Sequence, residues 1–146
     1  MSTDEKWKDK YTQFQILQQN IQQLAEHHQL LQQQAAELEI SKRAVLEIGK
    51  TKLNDSILAP VSNGIFIKAV LKDNKELIVN VGSNTTVTRT IPETAELLST
   101  QQTEISQRIV EVENLLQQLQ EQYLQLVQEI EGEPNIGLGN VPSEED

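Results

Sequence analysis

The sequence contains no cysteine. That excludes a disulfide framework, a thiolate metal site and a cysteine nucleophile. It suits a reducing interior, and the chain is read as cytoplasmic. Aromatic residues make up only 3% of the 146 residues, too few for a conventional enzyme core of this length. No apolar run approaches the roughly 20 residues that a transmembrane helix needs. The opening MSTDEKWKDK is charged with no apolar stretch behind it, so it does not read as a signal peptide. Basic charge is nearly missing from the second part of the chain. Residues 90–146 hold Arg108 alone against twelve acidic residues, while residues 1–89 hold eleven basic and ten acidic ones, for a net charge of −10. Such an acidic surface repels phosphate backbones and disfavours nucleic acid. A solvated acidic face accounts for it more simply than a docking surface for a basic partner.

What is present falls into two textures. The stretch from Ile57 to Ile91 is rich in Val, Ile and Thr, with Asn and Gly at intervals, whereas its flanks are rich in Gln, Glu and Leu. β-branched residues suit strands, and Asn and Gly suit turns. The spacing predicts strands over 57–61, 65–72, 77–81 and 86–90, with turns at Ser62-Asn63-Gly64, Asp73-Asn74 and Gly82-Ser83-Asn84. Pro60 marks an edge position. Strands two and three carry apolar residues on both faces. Ile65, Phe66, Ile67, Val70, Ile78, Val79 and Val81 are therefore candidate assembly residues, since a lone small sheet leaves one face wet.

The flanks read as helices. Ser2 and Glu5 have capping-box spacing, as do Thr90 and Glu93, with Pro92 tolerated in a first turn. In the first arm, Trp7, Phe14, Ile21, His28 and Ala35 take one heptad position, and Leu17, Leu24, Leu31, Leu38 and Val45 the other. Lys42 and Gly49 break this stripe, and the helix is expected to end before Asn54-Asp55. In the second arm, Leu98, Ile105, Val112, Leu119 and Leu126 alternate with Gln102, Ile109, Leu116, Tyr123 and Ile130. Gly132 and Pro134 stop it. The expected organisation is a helical arm over 1–55, a β body over 56–91, a second arm over 92–131 and a flexible acidic tail over 132–146. Two arms of similar length joined by a compact unit are expected to fold back as an antiparallel coiled coil. Trp7 then falls near Tyr123–Ile130, at an end away from the β body.

Catalytic chemistry finds no support. Gly64 and Gly82 stand alone as turn residues rather than in a phosphate loop. His27 and His28 are adjacent, so they cannot chelate from one helical face, and His28 reads as a polar residue in the stripe. No serine has a histidine in simple reach. The chain is expected to be no enzyme and to need no cofactor or metal.

Helix, two β-hairpins and helix in this length resemble the alpha class of the prefoldin family, in its archaeal form. Ile65-Phe66-Ile67-Lys68-Ala69 and Val79-Asn80-Val81-Gly82 are similar to that family's central stretch in type and spacing, although the turns at Asn63 and Ser83 are less glycine-rich. The resemblance implies a hexamer of two alpha and four beta subunits with paired β-barrels and six projecting coiled coils. It also implies ATP-independent capture of unfolded proteins at the tips and delivery to a group II chaperonin. The residues expected at the tip are Trp7, Tyr11, Phe14 and Ile16 with Tyr123, Leu124 and Ile130, which include four of the five aromatic residues. Phe14 and Ile16 fit seam or client contact equally; Trp7 and Tyr11 are read as client contacts because Lys10 interrupts the seam. The competing function is a coiled-coil adaptor that tethers two partners and never touches unfolded chains.

Overall fold

A computed structural model describes residues 3–132. The expected tail over 133–146, and Ser2 of the first capping box, lie outside the described residues. Along the chain, helix α1 spans Thr3–Lys50, strands β1 to β4 span Ser56–Ser62, Ile65–Val70, Glu76–Gly82 and Thr85–Thr90, and helix α2 spans Ile91–Glu131. The described residues fall into two compact units, one of residues up to Gln32 with those from Gln107 on, the other of Gln33–Ser106.

In the first unit the two helices pair antiparallel. Phe14 stacks on Tyr123, Lys10 faces Glu129, and His28 faces Glu113. The heptad positions are the covered ones: Leu17, Ile21, Leu24, Ile109, Val112, Leu116 and Leu119 are half-buried, and Leu31 and Leu126 are buried. A two-helix seam buries little more than this, because each helix offers only one stripe and no third element among the described residues covers the rest. His28 occupies its seam position with Nε2 3.0 Å from the Glu113 carboxylate, so its polar atom is satisfied at the seam's edge.

The second unit holds the hairpins. The four strands do not form one sheet. β1 pairs with β2 and β3 with β4, as two separate antiparallel ribbons. The ribbons are built alike, each strand of the second lying twenty positions after its counterpart in the first. Each has a register shift at the same place, between Pro60 and Ser62 and between Asn80 and Gly82. The second turn has φ of 51° at Ser83 and 59° at Asn84, the left-handed pair that matches hairpin twist.

The helix ends differ from the sequence expectation. α1 stops at Lys50, short of the end expected before Asn54-Asp55. Gly49 is a close approach rather than a break: a Cβ there would lie 3.1 Å from Ile91 Cγ2. At the stop, Thr51 Oγ1 donates to the Glu47 carbonyl and its N–H to Ile48, and Asn54 adopts φ 71°. The Asn54 N–H donates to the Leu71 carbonyl at 2.7 Å, and the Leu71 N–H returns to Asp55. This pair ends β2 earlier than expected, after Val70, and buries Leu71. The Asp73 carboxylate then accepts the N–H groups of Lys75 and Glu76, which holds it below the usual carboxylate range. The second capping box forms as read. Glu93 accepts the Thr90 N–H at 2.9 Å, and the Glu93 N–H donates to Thr90 Oγ1 at 3.2 Å. The Thr90 backbone N–H, then its hydroxyl, lowers the Glu93 pKa.

Candidate functional site

Two surfaces group apolar side chains that the chain itself does not cover, while Leu30, Ile40, Val110 and Leu115 are exposed elsewhere on the helices. The first is in the helical unit. Spacings of four and three residues put Trp7, Tyr11 and Phe14 on one face of α1. Their rings form a stacked row, with centroids 5.5 Å apart from Trp7 to Tyr11 and 6.2 Å from Tyr11 to Phe14. The row continues onto α2 through Phe14 and Tyr123 at 5.1 Å. Beneath it, Leu126 and Ile130 are each only 9% exposed, with Trp7 and Phe14 packed on them.

The seven residues expected here therefore separate. Ile130 is buried, Trp7, Phe14 and Tyr123 are half-buried, and Tyr11, Ile16 and Leu124 are exposed. The seam is not interrupted at Lys10. Its half-buried side chain places Nζ 3.9 Å from Glu129, and Trp7 continues the packing one turn further. Burial leaves the Trp7 Nε1 proton without an acceptor among the described residues. Ile16 at 52% and Leu124 at 60% stand open to solvent.

Two open grooves lie along this helix pair. One, of about 770 Å³, has Gln15, Gln18, Gln19, Gln22 and Gln120 around Tyr123. The other, of about 420 Å³, places Ile16, Leu17 and Leu126 among Gln13, Asn20, Gln122 and Gln125, with Glu129 also in its wall. Apolar periodicity singles out none of these glutamines. The signal that does is an absence of charge, since no ionisable acid or base occurs from Thr12 to Ala25.

The second surface is in the hairpin unit. The inner faces are half-covered through Ile57, Ala59, Ala69, Leu77, Val79 and Val87. Of the expected assembly residues, Val79 belongs to this inner set. Ile65, Phe66, Ile67, Val70 and Val81 are exposed between 50% and 60%, and Ile78 at 78%. Leu58 and Val61 join them. Two-stranded ribbons are marginal alone, and contiguous apolar exposure of this kind marks an interaction surface. In the same unit Glu39 accepts from Gln102 at 2.8 Å and from Arg43 at 3.1 Å, contacts that lower its pKa in that order. No described helix is long and apolar enough to cross a membrane.

Comparison with known proteins gives one consistent result. The family model described as Prefoldin subunit matches residues 17–134. The alpha subunit of prefoldin from Thermofilum pendens is 30% identical over 97 residues, which span 66% of this chain and 75% of the relative. The alpha subunit from Pyrococcus horikoshii is 30% identical over 109 residues, spanning 74% of each. Among solved structures, a filamentous PFD from Methanocaldococcus jannaschii superposes with a TM-score of 0.70 at 16% identity, over 80% of this chain and 96% of that one. That last likeness is one of fold.

Proposed function

The chain belongs to the prefoldin family, in its alpha class, and from that premise we propose that it captures unfolded proteins without ATP and passes them to a group II chaperonin. Prefoldin is a chaperone family rather than an enzyme family, and its members assemble with other prefoldin subunits. The finer reading is a hexamer of two alpha and four beta subunits. In it the exposed hairpin residues, Phe66 and Ile78 among them, close β-barrels with neighbouring subunits, and the complex works in the cytoplasm.

One observation carries the capture reading. Tyr11, Ile16 and Leu124 are open to solvent beside an aromatic row that contributes to a small core. Unfolded chains expose apolar side chains, and apolar groups kept outside the seam are free to cover them. Half-buried Trp7, Phe14 and Tyr123 add area when the seam opens locally.

The test uses the assembled complex and a model protein diluted from guanidinium, followed by light scattering without nucleotide. Stoichiometric complex is expected to suppress aggregation. Unchanged scattering would favour the adaptor reading, in which the same ends tether folded partners.

A further inference from the structure

We propose that the paired stretches Thr12–Ala25 and Asn114–Gln128 form a binding site for the main chain of an extended, uncharged polypeptide, read by glutamine side chains. The inference rests on the capture reading above and states which chemistry captures. Apolar contact alone leaves a problem. When a client segment lies against Ile16 and Leu124, its peptide N–H and C=O groups lose water and need new partners.

The helix pair supplies them. Fourteen consecutive residues from Thr12 to Ala25 include no Asp, Glu, Lys, Arg or His, and on α2 the stretch Asn114–Gln128 carries only Glu121. Exposed flanks of coiled coils ordinarily carry Glu and Lys. This chain does so on either side: Lys8, Asp9 and Lys10 precede the first stretch and Glu26 follows it, while Glu113 and Glu129 bracket the second. The neutral zone takes in the whole of the first groove and all of the second but Glu129, and a shorter charge-free run follows on α1 at Gln29–Ala36.

The side chains there are available. Among the described residues, Gln15, Gln19, Gln22 and Gln120 make no side-chain hydrogen bond, and Gln18 makes only a long one, donating to the Tyr123 hydroxyl at 3.5 Å. A primary amide offers a carbonyl acceptor and two N–H donors, the same pair that a peptide unit presents. It can turn to serve a client strand running in either direction. Covering it desolvates no charge, whereas covering Lys or Glu would cost far more. A groove of about 770 Å³ walled by five such amides around Tyr123 has the electrostatic character of a neutral backbone. Because every polypeptide has that backbone, recognition is independent of side-chain sequence apart from a preference for uncharged segments.

The test uses the full chain in its assembled complex. The probes are a short uncharged peptide of alternating Leu and Ser and its depsipeptide, in which alternate amides are esters that keep the side chains but lack N–H donors. The native complex is expected to bind the all-amide form roughly five- to tenfold more tightly, the equivalent of one or two net hydrogen bonds. The variant is Gln15→Ala, Gln18→Ala, Gln19→Ala, Gln22→Ala and Gln120→Ala. Alanine is the stronger helix former, so helicity and assembly persist while the discrimination is lost. A native complex that suppresses aggregation yet binds both probes equally overturns the amide reading and leaves the capture reading standing. Equal discrimination by the variant does the same. A native complex that suppresses no aggregation removes both.

Discussion

Truncating Ile16 and Leu124 to alanine tests where clients are held. Both side chains lie outside the seam, 52% and 60% exposed, so a client that covers them gains burial the free chain lacks. Full burial of such a side chain is worth about 1.5–3 kcal/mol, and about half of it remains to be gained here, so the pair contributes roughly 2–3 kcal/mol. Ordering costs are common to native and variant and cancel in the difference. The loss corresponds to roughly 30- to 150-fold in monovalent affinity. In the proposed hexamer other arms would share the client, so the loss measured in the complex would be smaller. Folding stability should hardly change, because exposed substitutions usually stay within about 0.5 kcal/mol. Leu126→Ala is the contrasting control. Leu126 is 9% exposed beneath Trp7 and Phe14, and its truncation should cost about 2–5 kcal/mol of stability. Truncating the first eleven residues is a poorer test, since it removes Trp7 from the same core. The assay is affinity for a denatured model protein, with sedimentation and thermal melting of the same samples. Unchanged affinity in an intact, equally stable complex would refute the argument that these open side chains carry capture.

Four further outcomes are expected. Phe66→Ser or Ile78→Asp should block assembly by sedimentation while each chain keeps its helical circular dichroism, because both residues are exposed in the single chain and an interface would bury an unpaired polar group. Gly49→Ala should be nearly neutral in melting temperature, its helix propensity offsetting the tight contact with Ile91, whereas Gly49→Leu should destabilise clearly and be partly rescued by Ile91→Ala. Thr90→Ala should cost about 1 kcal/mol by removing the cap of α2. Glu39, Asp73 and Glu93 all have lowered pKa values, so the stability they add is complete above the ordinary carboxylate values of 4.5 and 3.8 and is lost as pH falls through their folded values. Melting temperature should therefore drop on acidification below about pH 4.5. It should drop less in the variant Glu39→Gln, Asp73→Asn and Glu93→Gln.

Much of this protein was written in local pattern. The alternation of three and four named Leu31, Leu126 and their neighbours as covered positions, and Thr90 with Glu93 announced the start of α2, because periodicity and caps act within one or two turns of chain. The strands and turns followed from β-branched runs and the Asn and Gly residues between them. The tertiary structure alone decided what depends on distant partners. Lys42 and Gly49 read as breaks in the apolar stripe, and only the packing shows that Gly49 is a point of close approach to Ile91, since a glycine permits close packing as readily as it permits a turn. Lys10 read as an interruption, but Glu129, over a hundred residues away, meets it at the seam and lets Trp7 pack beyond it. Two hairpins were expected from the strands and turns, but only the structure shows that they stay two separate ribbons and do not join into one sheet. Ile130 already stood in the apolar stripe, and Ile16 and Leu124 outside it. The structure adds that Trp7 and Phe14 pack on Leu126 and Ile130 while Ile16 and Leu124 stay open to solvent, because packing across the seam depends on partners over a hundred residues away.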